Sequence, residues 1–338
     1  SGASDCNPYF DAPLSNRVAN YNIDLTLDHD AKTIEATQEV LWINSSPDTI
    51  NELRFYMYLN SFKNTESTFI KGANGQVFGE DIGTRSAETW GWIHVDQIKV
   101  RGGADLSDRT KYIQPDDGNI EDQSVLSIDL MEGLFPGDTL TLDMIFRAKM
   151  PEIIARAGYS RDDYFLFVHW FPQMGVYEKL MSGEWGWNCH QFMQNTEFYA
   201  DFGVYDVSIT ASNHIILGAS GCLVDEKDNG DGTITSSFHV EDVIDFAWTA
   251  YPYFDVQERR WEHVNIRLLI PQEHKYLGPR YLTAIEQALE YLDEHVGLYP
   301  FPQITIVDPP LHGLRSGLME YPTLITAGTA FGMPKKVH

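Results

Sequence analysis

The chain is short of positive charge. It carries 24 Lys and Arg against 49 Asp and Glu, a formal net charge of -25. Proteins hold nucleic-acid phosphates through basic patches, so this deficit argues against a nucleic-acid partner. It favours a solvated acidic surface, with attraction of cationic peptides as the functional alternative. Cysteine is scarce too. Cys6, Cys189 and Cys222 are too few and too scattered for a disulfide framework or a cysteine-rich zinc site, though one disulfide with a thiol left over stays open. Cys189-His190 resembles a ligand pair, but no second pair at metal spacing accompanies it, and packing is the reading adopted. No uncharged apolar stretch is long enough to span a bilayer, so no integral membrane segment is expected. Ser1-Gly2-Ala3-Ser4-Asp5-Cys6 lacks the basic and apolar regions of a signal peptide. The compartment is undecided, and export is compatible with the chain. Internal repeats, low-complexity tracts and long Pro/Ser linkers are absent.

What is present falls into two patterns. Through the first two-thirds, apolar and polar residues alternate. Tyr21, Ile23, Leu25 and Leu27 take turns with Asn22, Asp24, Thr26 and Asp28, the period of a half-buried strand. Leu126, Ile128 and Leu130 repeat it, as do Leu140, Leu142, Met144 and Phe146 after a turn at Pro136-Gly137-Asp138. Val204 to Thr210 forms another such run, and Asp228-Asn229-Gly230-Asp231-Gly232 reads as a tight turn between two strands. Many short strands with polar turns predict a large antiparallel sheet or sandwich. Beyond that the pattern changes. Val264 to Ile270 reads as a strand. Pro279 opens a helix, with Leu282, Ile285, Leu289, Leu292 and Val296 on one face and Gly297 closing it. A strand at 303–307 follows. These shifts divide the chain into an all-β region, 1–257, and the start of an α/β or α+β domain, 258–338.

Near the end, Gly317-Leu318-Met319-Glu320 sets a carboxylate between apolar runs. A lone Glu at such a place is ordinarily a solvent-facing residue on the polar side of a strand. Its setting changes that reading. Gly317-Leu318-Met319-Glu320 resembles the Gly-x-Met-Glu-Asn exopeptidase motif of the M1 family of zinc aminopeptidases, the gluzincins that include aminopeptidase N and leukotriene A4 hydrolase. The run "GLYPFPQITIVDPP" (297 to 310) is similar to the segment leading into that motif. "HWFPQMGVYE" (169 to 178), "EFYADFGVYDVSIT" (197 to 210) and "VIDFAWTAYPYF" (243 to 254) are similar to the family's N-terminal β domain. The resemblance runs from about residue 15 onward.

The resemblance implies a mainly β architecture. A large antiparallel β-sandwich or saddle would be followed by the first α+β part of a thermolysin-like catalytic domain. It also implies removal of N-terminal residues from peptides with a free N-terminus. Glu320 would bind the substrate α-ammonium by a charge-assisted hydrogen bond, fixing which peptide bond reaches the metal. Gly317, Leu318 and Met319 would line the first subsites, with main-chain pairing to the substrate as an added strand. Two departures limit the carry-over. Tyr321 and Pro322 follow Glu320 where the family has Asn. The Gln-x-Glu segment that supplies a second ammonium contact has no clean match before Trp170-Phe171-Pro172, where Asp162, Asp163 and His169 are the nearby polar residues. His169 reads as structural.

The family's zinc is held by His-Glu-x-x-His on one helix and a Glu on the next. None of the eleven histidines belongs to that motif or its inverted form. The stretch "GTAFGMPKKVH" (328 to 338) is similar to the loop that precedes the zinc helix. The expectation is therefore the N-terminal part of a zinc aminopeptidase, supplying recognition of the substrate N-terminus without catalytic residues or zinc ligands of its own. The alternative is a non-catalytic scaffold of the same shape or a β-sandwich binding module, for which Trp185-Gly186-Trp187 would be a surface for stacking sugars, although aromatic residues of a β core are the reading adopted for that cluster. The preferred N-terminal residue and the oligomeric state are left undecided by the sequence.

Overall fold

A computed structural model describes residue 6 and residues 9–77, 79–196 and 199–329. The chain is mainly β. Its largest sheet has seven strands in the order Cys222–Asp228, Thr233–Val243, Gly203–Ser212, Ala19–Asp28, Thr33–Ile43, Thr139–Lys149, Trp92–Val100. The expected alternation is realised in Ala19–Asp28, where Tyr21, Ile23, Leu25 and Leu27 are buried and the residues between them are exposed. Asp228 Oδ1 accepts the Gly230 N–H at 2.8 Å, which tightens the expected turn. One pairing departs from a purely antiparallel sheet: Ala19–Asp28 and Gly203–Ser212 run parallel, with Tyr21 beside Tyr205. Parallel strands need a long crossover, so local pattern does not reveal them.

Two four-stranded sheets pack against this face. One is Gly158–Ser160, Tyr164–Phe167, Trp248–Tyr251 and Ile216–Ala219; the other is Gln173–Met174, Ile50–Tyr56, Val125–Leu134 and Thr110–Tyr112. Large rings fill the space between. Phe167 stacks on Trp248 with centroids 3.6 Å apart, and Trp170, fully buried, donates its indole N–H to the Phe246 carbonyl at 2.9 Å. Of the two tryptophans considered for sugar stacking, Trp187 packs on Trp42 and donates to the Glu52 carbonyl, while Trp185 stays on the surface.

A second, smaller sheet has the order Phe254–Trp261, Val264–Pro271, Gln303–Val307, Leu324–Thr326, Met319–Tyr321. The boundary placed at residue 258 falls inside its first strand. The helix Gly278–His295 covers one face, carrying Pro279 in its first turn. Val264, Ile266, Leu268 and Ile270 share a core with Leu282 and Leu289 of that helix, whereas Leu269 and Val307 join the core of the β region. Every residue of Gln303–Val307 is buried, as a strand covered on both faces requires. Only the first half of the expected helical face is covered: Leu292 is 43% and Val296 80% exposed. The helix stops as expected, with the Val296 and Gly297 N–H groups both returning to the Leu292 carbonyl.

Candidate functional site

Met319–Tyr321 lies at the end of the second sheet. Among the described residues it pairs with Leu324–Thr326 alone, in the register Met319 to Thr326, Glu320 to Ile325 and Tyr321 to Leu324. The two-residue turn between these strands is clamped to the β region. Thr323, in the left-handed region at φ 57°, accepts the Gly221 N–H on its hydroxyl at 2.7 Å, and Ser220 donates to the Pro322 carbonyl at 2.7 Å. Strand alternation then sets the side chains. Tyr321 is buried behind the strand, Met319 is partly buried against the main core, and Glu320 is exposed.

Gly317 is there because no other residue fits. A Cβ at that position would stand 2.3 Å from the Ala327 carbonyl oxygen. Leu318 follows at φ 63°, a left-handed conformation that costs a non-glycine residue about 1 kcal/mol. Its side chain is 78% exposed. The Leu318 N–H reaches the Ala327 carbonyl at 3.3 Å and the Met319 N–H the Thr326 hydroxyl at 3.0 Å. The structure thus brings Gly317, Leu318, Met319 and Glu320 to one edge, with an apolar side chain and a carboxylate both turned to solvent.

The turn ahead of this edge, Leu311–Ser316, is anchored from several sides. Ser316 is fully buried and bonded to the Tyr164 hydroxyl at 2.8 Å, and a Cβ on Gly313 would meet the Tyr164 ring at 2.7 Å. His312 Nδ1 lies 2.8 Å from the Ser160 hydroxyl. Burial pushes the His312 imidazole pKa down, against the pull of Asp162, whose Oδ2 stands 3.6 Å from Nε2. Arg315 pairs with Glu80, which also pairs with Arg85. Burial alone would raise the Glu80 pKa, but the two guanidinium groups hold it below the usual carboxylate range.

The polar residues weighed as a second ammonium contact separate. Asp162 sits beside His312, in the turn that carries the motif. Asp163 is drawn away to Lys32 at 2.7 Å. His169 is buried with Nδ1 3.2 Å from Asp245 and its ring edge-on to Tyr58. Burial raises the Asp245 pKa, opposed by His169. Cys189 and His190 point apart. The thiol is buried, which raises its pKa, and the imidazole contacts Asp116 at 2.6 Å. None of the three cysteines is in a disulfide among the described residues.

One positioning residue escaped the sequence reading. Asp308 is fully buried at the end of Gln303–Val307. It accepts from Tyr281 at 3.1 Å and from the Thr329 N–H and hydroxyl at 2.9 and 2.7 Å, and its Oδ2 lies 2.9 Å from His274 Nδ1. It ties the start of the helix to the chain leaving the site. Its partners are far apart in sequence, so no local signal marks it.

Among the described residues, no group of three or more His, Cys, Asp and Glu side chains could hold a metal ion. These residues do not fit a zinc site, and no chemical step is assigned through one. The loop-like stretch from residue 330 to 338, and residues 197 and 198 of the earlier match, lie outside the described residues.

No family model and no curated protein sequence matches the chain. Solved structures do. A mutant M1 zinc metallopeptidase from Deinococcus radiodurans bound to a Tyr-Ser-Ala substrate is similar over 89% of this chain and 59% of its own, at 13% identity and a TM-score of 0.54. A mutant two-domain M1 zinc metallopeptidase bound to L-arginine is similar over 93% of this chain and 61% of its own, at 12% identity and a TM-score of 0.52. The chain therefore spans about three-fifths of the length of these solved structures, and its mainly β fold is the one expected for the N-terminal region of such peptidases.

Proposed function

We propose that this chain is the substrate-recognition part of an M1-like zinc aminopeptidase that removes N-terminal residues from peptides. The observation carrying this reading is the edge strand Met319–Tyr321, one side of whose backbone has no strand partner among the described residues, beside an exposed Glu320. An extended peptide adds to such an edge by main-chain hydrogen bonds, and a carboxylate at its end anchors a free ammonium. Leu318 and Met319 supply apolar contact for the first side chains. The likeness in fold to peptidases, one of them bound to a tripeptide, supports the assignment.

Zinc and bond cleavage belong, on this reading, to residues other than those described here. The 338-residue chain alone is expected to release no amino acid from an aminoacyl anilide; zinc-dependent release would refute that. In the longer enzyme, Glu320→Gln lowers kcat/KM for an aminoacyl anilide by at least about tenfold, the cost of losing a hydrogen bond between charged groups. Zinc content stays unchanged. Unaltered kinetics would return Glu320 to the ordinary surface of a strand. The alternative, a non-catalytic binding module, draws on the exposed Trp185 near Tyr177. A reading frame that lacks His-Glu-x-x-His beyond His338 would favour it.

A further inference from the structure

Residues 9–17 form neither helix nor strand, and most of them are exposed. Their two ends are held on different sheets. At one end the Tyr9 ring lies on His263, in the turn between the first two strands of the second sheet, with centroids 4.5 Å apart. At the other end Asp242, in Thr233–Val243 of the large sheet, gathers the chain. Its Oδ1 accepts the Ser15 N–H at 3.0 Å and the Ser15 hydroxyl at 2.6 Å. Arg17 donates to both of its oxygens, at 3.1 and 2.8 Å, and to Glu241 at 2.7 Å. Burial would raise the Asp242 pKa, but hydrogen bonds from Arg17 and Ser15 hold it down at about 2. Arg17 and Asp242 both sit in the left-handed region, at φ 46° and 58°, so the tie also carries local strain.

Between its ends the segment is seated lightly. Phe10 is 40% and Leu14 55% exposed, so little apolar area is withdrawn from water. Phe10, Ala12 and Leu14 line a cavity of about 40 Å³ together with Gly221, Gln303 and Thr323. Those last three residues form the clamp on the turn of the edge hairpin. The Gly221 N–H donates to the Thr323 hydroxyl at 2.7 Å, and Gln303 Nε2 donates to the Gly221 carbonyl and the Thr323 hydroxyl. The Thr323 carbonyl accepts the Thr305 N–H at 2.8 Å. A segment tied at its ends and only lightly packed between them can leave as a unit, at a lower cost than the strands it crosses. Its departure would open that cavity, and with it the clamp, to water.

We propose that residues 9–17 are a releasable strap that regulates the recognition edge. Seated, the strap shields the clamp of Gly221, Gln303 and Thr323 and so steadies Met319–Tyr321. Released from Asp242, it lets water compete for the clamp's hydrogen bonds and lowers peptide affinity at the edge. Only this last step rests on the reading of Met319–Tyr321 as a peptide site.

The test is Asp242→Ala in the 338-residue chain, read by amide hydrogen exchange and by titration with a tripeptide carrying a free N-terminus. The Gly221 and Thr305 N–H groups are expected to exchange at least about tenfold faster in the variant, while those of Thr33–Ile43 stay within about twofold. The tripeptide is expected to bind at least about fivefold more weakly. Unchanged exchange at Gly221 and Thr305 would overturn the strap. So would a rise that extends equally to Thr33–Ile43, since that is a general loss of stability. Faster exchange with unaltered tripeptide affinity would overturn the regulation of the edge. If the unaltered chain binds no tripeptide, the reading of the edge fails, whereas the exchange result still decides the strap. If Asp242→Ala does not fold, Phe10→Ala, at a residue largely open to solvent, is read in the same two ways.

Discussion

The seven-stranded sheet and the five-stranded sheet bury their strands by different rules. In Ala19–Asp28 every second residue is buried and the residues between face water; in Gln303–Val307 all five are buried. The first sheet uses one face and the second uses two, because the helix Gly278–His295 and the β region enclose it. A sheet covered on both sides has few places to put a polar side chain. Gln303, Thr305, Thr326 and Asp308 are among those that persist, and Asp308 ties the helix to the chain leaving the edge strand. The large sheet is a platform; the small one carries the candidate chemistry.

The comparison breaks most visibly at the seam. Leu269 is fully buried where the two cores meet, and Leu269→Ala is expected to cost about 3 kcal/mol in denaturant unfolding. A cost below about 1 kcal/mol would mean that the second sheet is only loosely docked. Next comes Asp308→Ala, which strips partners from buried or half-buried His274, Tyr281 and Thr329 and is expected to cost about 2–3 kcal/mol. Gly317→Ala forces the Ala327 carbonyl to shift and is expected to cost about 1–2 kcal/mol, with weakened peptide binding at the edge.

A pH profile sharpens the contrast on the platform side. Asp201 is pushed up to about 6, first by burial and then by Glu178. In the unfolded chain an aspartate titrates near ~4. The folded state therefore holds a proton that the unfolded state has lost across that interval, so this group's contribution is full below about pH 4 and fades as pH rises through about 6. Asp201→Asn should flatten the dependence of the denaturation midpoint between those values; an unchanged profile would mean that Asp201 is solvated. The smallest effect on stability belongs to Glu320→Gln, expected within about 0.5 kcal/mol because the side chain is exposed.

Much of this was legible in the sequence. The alternating runs at 21–28, 126–130, 140–146 and 204–210 fall inside the strands Ala19–Asp28, Val125–Leu134, Thr139–Lys149 and Gly203–Ser212, and the strand expected at 303–307 is Gln303–Val307. The Gly317 to Glu320 edge was legible as a motif. Contacts between distant residues were not. The parallel pairing of Tyr21 with Tyr205 and the Asp308 cluster depend on a topology that local periodicity does not encode. The helix shows the same limit: its apolar spacing extends to Val296, but the covering surface reaches Leu282, Ile285 and Leu289 and leaves Leu292 and Val296 exposed.

The central claim is that Glu320 recognises a free amine. The most direct measurement compares a tripeptide with its N-acetylated form, each titrated into the 338-residue chain and into its Glu320→Gln variant. The account predicts that the unmodified chain prefers the free amine by at least about tenfold and that the variant binds both forms alike. Equal binding of the two peptides by the unmodified chain, or a preference that survives in Glu320→Gln, would contradict it.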